Sequence, residues 1–158
     1  MSLSGPVRFL GELALALALA LAGVLLGLRH VARPWVVGGA SMLPSLEPGD
    51  RLLVDVWSYR QRAPRPGEIA LLLGPAGVPL VKRVSGALAS GGHPTAGGEL
   101  VYVLGDNPAA STDSREFGPI PRARFLGRVV WRYWPPSRAG PIRWSGTTPG
   151  SGLRLPER

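Results

Sequence analysis

Sixteen consecutive uncharged residues, Leu13 to Leu28, mostly leucine and alanine, constrain this chain more than any other feature. The Leu-Ala alternation has a period of two, but both residues are strong helix formers and the run is too long for a strand. Extended back to Val7 it takes in Arg8 and Glu12 near one end. At about 1.5 Å rise per residue, about 20 residues cross a ~30 Å hydrocarbon core. The run therefore predicts one transmembrane helix over about residues 7–28. Ala20-Leu21-Ala22 has the A-x-A form of a cleaved targeting peptide. The basic region of such a peptide would hold only Arg8, offset by Glu12, so the uncleaved anchor is the better reading. Charge does not orient the helix: Arg8 and the α-amine precede it, and Arg29 and Arg33 follow it.

With residues 1–33 assigned to the anchor, the 158-residue chain leaves room for one compact domain. Residues 34–134 read as mainly β. Strand-like runs occur at Arg51–Trp57, Glu68–Leu73, Val78–Ser85, Leu100–Leu104 and Phe125–Trp134. Pro-Gly and Gly-Gly pairs separate them, and no amphipathic helical pattern of useful length appears. Residues 135–158 are rich in Pro, Gly, Arg and Ser and read as a disordered tail.

Composition closes off several chemistries. The chain has no cysteine, which excludes a disulfide scaffold, a thiol nucleophile and any Cys-ligated metal. Its two histidines, His30 and His93, argue against a His-rich metal site, and no cofactor is expected. The net charge of +8 suits nucleic acid or an anionic membrane. The arginines are scattered and no nucleic-acid module is visible, so lipid is the expected partner. Trp57, Tyr59, Trp131, Tyr133 and Trp134 are candidates for the bilayer interface or equally for core packing.

Seventeen of the eighteen basic side chains are arginine; the exception is Lys82. Strand alternation puts Leu80, Lys82 and Val84 on one face and Arg83 on the other. A lysine buried there would be desolvated, and its pKa would fall. The neutral amine is a competent base, which an always-charged guanidinium is not. The same pattern also fits an edge lysine that reaches water. Among the twelve serines, Ser41 stands out in Gly38-Gly39-Ala40-Ser41-Met42-Leu43-Pro44. Small residues allow close approach of another chain, and Pro44 stiffens the turn. Such a turn can aim both the Ser41 hydroxyl and its N–H at a carbonyl, or be an ordinary loop. A third cluster, Gly105 to Arg115, opens with a strong Gly-Asp-Asn-Pro turn signal and continues with dense polar residues.

Taken together, SMLPSLEPGDRLLVD (Ser41–Asp55), VKRV (Val81–Val84) and GDNPAASTDSREFGPIP (Gly105–Pro121) resemble type I signal peptidases. These are membrane-anchored Ser/Lys proteases that remove signal peptides from exported proteins. The three motifs occur in the family's order behind an N-terminal anchor. The resemblance implies a signal-peptidase-like β-sheet catalytic domain with one N-terminal transmembrane helix. It implies Ser41 as nucleophile and Lys82 as general base, with Ser111 orienting the amine. Asp113 and Arg115 would form a supporting salt bridge, and Asp106 would pair with Arg83. Gly39, Ala40, Met42 and Pro44 would shape the substrate site. The implied substrates are exported preproteins with small residues before the cut. The implied location is the plasma membrane, single-pass, with the catalytic domain outside the cytoplasm.

Three departures from the family pattern are visible. Gly39 stands where some members carry a serine whose hydroxyl completes the oxyanion hole, although others also have glycine. Ser45 replaces the usual threonine. Pro108-Ala109-Ala110 replaces the usual Arg-Asp-Asn, leaving Ser111, Asp113 and Arg115 in register. The stretch from Lys82 to Gly105 is too short for the second β-domain of larger members. Two alternatives keep parts of this reading: a maturation protease dedicated to one partner protein, and a non-catalytic paralogue that binds signal peptides.

Overall fold

The computed structural model describes residues 5–88 and 99–143. Helix α1 (Gly5–Val31) leads directly into strand β1 (Ala32–Val36). There follow β2 (Arg51–Asp55), the single turn α2 (Ser58–Gln61), β3 (Ile69–Leu73), β4 (Pro79–Leu88) and β5 (Leu100–Leu104). The turn α3 (Ser114–Phe117), β6 (Ile120–Pro121), β7 (Phe125–Trp134) and β8 (Gly140–Pro141) complete the described chain. The strands form one antiparallel sheet in the order β1-β2-β7-β3-β4-β5-β6, with β8 on β7. The five strand-like runs of the sequence all become strands, with ends shifted by a few residues. Trp57 falls beyond β2, and β4 continues past Ser85.

β3 carries an apolar residue at every position because it is covered on both faces. Ile69 and Leu71 pack with Val37, Met42, Leu46, Leu52, Val54 and Val129. Ala70 and Leu72 pack on the other face with Tyr59, Val84, Val101, Val103, Ile120 and Phe125. Elsewhere a single covered face leaves the usual alternation, as in β2, where Leu52 and Val54 are buried and Arg51 is exposed. Of the five candidate interfacial aromatics, Tyr59 is a core residue, meeting Phe125 edge-on at 5.9 Å. Trp57, Trp131, Tyr133 and Trp134 are exposed.

The tail departs from its expected disorder over residues 135–143. Pro136–Arg138 form a 3-10 turn, and β8 pairs with β7 through Trp131–Pro141 and Arg132–Gly140. Arg138 donates to the fully buried Asp50 at 2.6 Å and pairs with Glu47; Arg132 reaches Asp50 at 3.1 Å. Composition alone cannot reveal that Arg138 meets a buried carboxylate from the other end of the domain. Residues 144–158 lie outside the described residues, as do His93 and the rest of the 89–98 link. Among the described residues, no helix is long and apolar enough to cross a membrane.

Candidate active site

Three chain segments converge on Lys82. Leu80 and Val84 pack into the second apolar cluster, and Lys82 between them is only 3% exposed. Its Nζ donates to Ser111 Oγ at 2.8 Å. Ser111 Oγ in turn donates to Asp113 Oδ2 at 2.7 Å. A hydroxyl has one proton, and a carboxylate only accepts. Ser111 must therefore accept from the amine, and the lysine lone pair is left unspent. Burial is the main influence on Lys82 and pushes its pKa below the ordinary 10.5; Arg115 adds to the fall, while Asp113 and Glu116 oppose it.

Asp113 is fully buried. Burial alone would raise its pKa. The Arg115 guanidinium, the Gly105 N–H and the Ser111 hydroxyl overcome that and hold the carboxylate well below its usual range. Arg115 binds it through Nε at 2.8 Å and through the second nitrogen at 2.5 Å. Asp113 also caps α3 through Arg115 N–H. Behind the lysine, on the other face of β4, Arg83 grips Asp106 at 2.7 and 2.6 Å and donates to the Gly67 carbonyl at 2.8 Å.

Ser41 sits in a turn held from two sides. The Asn107 N–H donates to the Ser41 carbonyl at 2.9 Å, and Asn107 Nδ2 donates to the Ala40 carbonyl at 3.2 Å. Arg83 also reaches Ser45 Oγ at 3.2 Å. The closest packing is at Gly105. A Cβ there would lie 2.6 Å from the Ser41 carbonyl oxygen and 2.5 Å from Ser111 Cβ, distances real Cβ atoms do not show.

Ser41 and Lys82 line one cleft of about 300 Å³. One wall is Trp35 to Gly39 with Ser41 and Met42; the other is Pro79 to Lys82. β5 pairs with β4 only from Arg83 onward, so among the described residues no strand covers the outer edge of Pro79–Lys82, which opens on the cleft. Gly39 and Met42 are in the lining. Ala40 is held by Asn107 and Pro44 is exposed, and neither lines the cleft. Pro108–Ala110 form an exposed 3-10 turn, so the departure from the family pattern there falls on the surface. Sequence reading missed Trp35, Pro79 and Val81 in the cleft walls, and the Asn107 and Ser45 ties. Only the GDN motif hinted at Asn107; the others carry no local signal.

Because the folded chain holds Lys82 below its ordinary pKa, the unfolded chain binds that proton more tightly. The resulting cost to stability is full at low pH and fades as pH rises toward 10.5. Lys82→Met is therefore expected to stabilise the protein at pH 7 by about 1 kcal/mol or more, as when a buried ionic group gives way to an apolar one. Thermal unfolding at pH 7 and pH 10 checks this; the gain must shrink at the higher pH.

Residues 10–89 and 95–134 match the family model described as signal peptidase, peptidase S26. A relative in Arabidopsis thaliana, mitochondrial ATP-independent inner membrane protease subunit 1b, is 36% identical over 135 residues, covering 70% of this chain and 73% of that protein. Signal peptidase I of Leptolyngbya laminosa is 32% identical over 155 residues, covering 74% and 76%. The probable signal peptidase I-1 of Synechocystis is 29% identical over 174 residues, covering 87% and 89%. The three motifs, their order, the β-sheet scaffold and these relationships agree: the chain is a serine peptidase and belongs to the signal peptidase family, peptidase S26.

Proposed function

We propose that this protein is a membrane-anchored signal peptidase I that removes N-terminal signal peptides from exported preproteins. Ser41 is the nucleophile and Lys82 the general base. The observation that carries this reading is a buried, pKa-lowered amine, with its lone pair unspent, in the same cleft as Ser41. An extended substrate adds as a strand to the open edge of Pro79–Lys82, placing its scissile carbonyl at Ser41. Lys82 Nζ takes the Ser41 proton as Oγ attacks, and the Ser41 N–H faces the oxyanion. The protonated lysine then releases its proton to the leaving amine. A water deprotonated by Lys82 hydrolyses the acyl-enzyme. Ser111 positions the amine, Asp113 and Arg115 position Ser111, and the Arg83–Asp106 pair braces the strand beneath. Gly39 and Met42 form part of the substrate wall, and Ala40 and Pro44 shape the nucleophile turn behind it.

The anchor is α1. Its described leucines, from Leu10 at 62% to Leu21 at 59%, have no protein cover, and an apolar surface of that length suits lipid. The uncharged run Leu13–Leu28 supports the same reading. The catalytic domain stands on the extracytoplasmic side of the cell membrane, with no nucleic-acid partner, metal or cofactor. Incubating the full chain with several preproteins and sequencing the new N-termini tests the function. Cuts after small residues in many preproteins support it, and no cut in any overturns it. A cut in one preprotein alone would favour a dedicated maturation protease.

Gly39 gives a further check. A Cβ at Gly39 meets nothing within 4 Å, so a serine fits. If its hydroxyl reaches the oxyanion, Gly39→Ser raises kcat about tenfold, a fraction of the about 10²–10³ carried by one donor elsewhere. Single-turnover acylation of Ser41 measures it; an unchanged rate means the backbone donors suffice.

A further inference from the structure

A second, larger cavity of about 760 Å³ adjoins the cleft, and the two share Trp35. Its apolar lining includes Val56, Leu71, Phe125 and Leu126. Arg33, Arg60 and Arg122 also line it, against Glu99 alone among the acidic residues of the lining. Arg60 stacks on Trp57, and Arg122 donates to the Tyr59 carbonyl. Arg33 and Pro34 come just after the end of α1. Read along the chain, the wall runs from the anchor past the cavity to Trp35, then along the cleft to Ser41.

This order sets a distance. A strand advances about 3.3 Å per residue, so Trp35 and Ser41 are at most about 20 Å apart along the wall. A peptide cut at Ser41 and lying along that wall reaches the cavity about six residues from the cut. The end of the peptide that meets the anchor side is the one held by the membrane. In a signal peptide that end is apolar and lies upstream of the cut, and its basic stretch lies further upstream still.

We infer that the Trp35 cavity is an extended subsite for the apolar residues about six to eight positions before the scissile bond, an inference that rests on the Ser41–Lys82 reading. Its volume is ample for two or three aliphatic side chains. The surplus of arginine at its lining repels a lysine or arginine at those positions. The cavity thus measures a minimum apolar length: a cut too close to the basic stretch of a substrate places like charges together.

The test uses the full chain in detergent micelles and three synthetic peptides sharing one cleavage site. One peptide starts five residues before the cut. Two start ten residues before it, with either leucine at positions six to eight or lysine at position seven. The leucine peptide is expected to exceed the short one about tenfold in kcat/KM, mostly through KM, and the lysine peptide to show no such gain. Ala123→Trp, at an exposed position of the cavity lining, is expected to bring the long-to-short ratio toward one. Arg60→Glu is expected to raise the lysine peptide severalfold relative to the leucine peptide. A ratio near one in the unaltered protein, or one kept in Ala123→Trp, overturns the inference. So does a ratio kept while Ala123→Trp weakens binding to phosphatidylglycerol vesicles, which would make a lipid the occupant. Cleavage of the short peptide with a ratio of one removes the subsite but leaves the dyad standing; cleavage of no peptide overturns the dyad and the subsite together.

Discussion

Lys82→Arg is expected to lower kcat/KM by about 10⁴-fold or more while keeping the positive charge. In the proposed mechanism, the step that needs Lys82 is acceptance of the Ser41 proton. Burial helps a lysine by disfavouring its charged form, but a guanidinium stays protonated even when buried. The hydrogen-bond chain sharpens the contrast. Ser111 spends its proton on Asp113 and only accepts from Lys82, so the neutral amine keeps a lone pair for Ser41. A guanidinium in the same place has donors only. Lys82→Met serves as the folding control, since it is expected to be at least as stable as the parent at pH 7 and equally inactive. Labelling of Ser41 by a serine-reactive acylating inhibitor, with steady-state cleavage, reads the effect. Retained cleavage in Lys82→Arg would remove the dyad from the mechanism.

Gly105→Ala, the smallest available change, is expected to be nearly as damaging. The glycine lies where the turn of Ser41, the proposed nucleophile, and Ser111, proposed to orient the base, approach each other. The added Cβ collides with the Ser41 carbonyl oxygen on one side and with Ser111 on the other. Neither neighbour can yield freely. The Ser41 carbonyl is tied to the Asn107 N–H, and Ser111 is tied to both Lys82 and Asp113. Gly105 N–H itself donates to Asp113 at 2.8 Å, so backing away breaks a buried bond. Overpacking of this kind costs about 1–3 kcal/mol, and displacing reacting groups by about 1 Å can cost 10²-fold in rate. The expected result is a melting temperature lowered by several degrees and a kcat lowered about 10²-fold, with KM little changed. A fully active Gly105→Ala would mean that the two halves of the site are not as tightly coupled as their packing indicates.

Much of this architecture was legible in the chain. Five of the six described strands of five or more residues, β2, β3, β4, β5 and β7, were marked by apolar runs between Gly and Pro. Lys82 could be picked out because it is the one lysine among seventeen arginines, and because Leu80 and Val84 flank it at strand spacing. β1 was not legible: Ala32–Val36 contains a proline and an exposed arginine, and it is a strand because β2 offers it an edge. β8 was hidden because it is two residues long and consists of a glycine and a proline, and the Arg138–Asp50 pair because its partners lie far apart in sequence. The roles proposed for Ser41 and Ser111 come from motif resemblance rather than pattern. A serine in a glycine-rich turn has no local signature of what it faces. The cleft walls at Trp35 and Pro79–Val81 exist only once the sheet has formed.

The single lysine that makes the sequence unusual also makes the proposed base directly measurable. With ¹³C-labelled lysine in the folded, full-length protein, one side-chain Cε resonance reports Lys82 alone. This signal is expected to titrate clearly below the ordinary 10.5, and to return to the ordinary value when the chain is unfolded. A Lys82 that titrates in the folded protein at or above its value in the unfolded chain would contradict the account, because such an amine is charged when Ser41 needs a base.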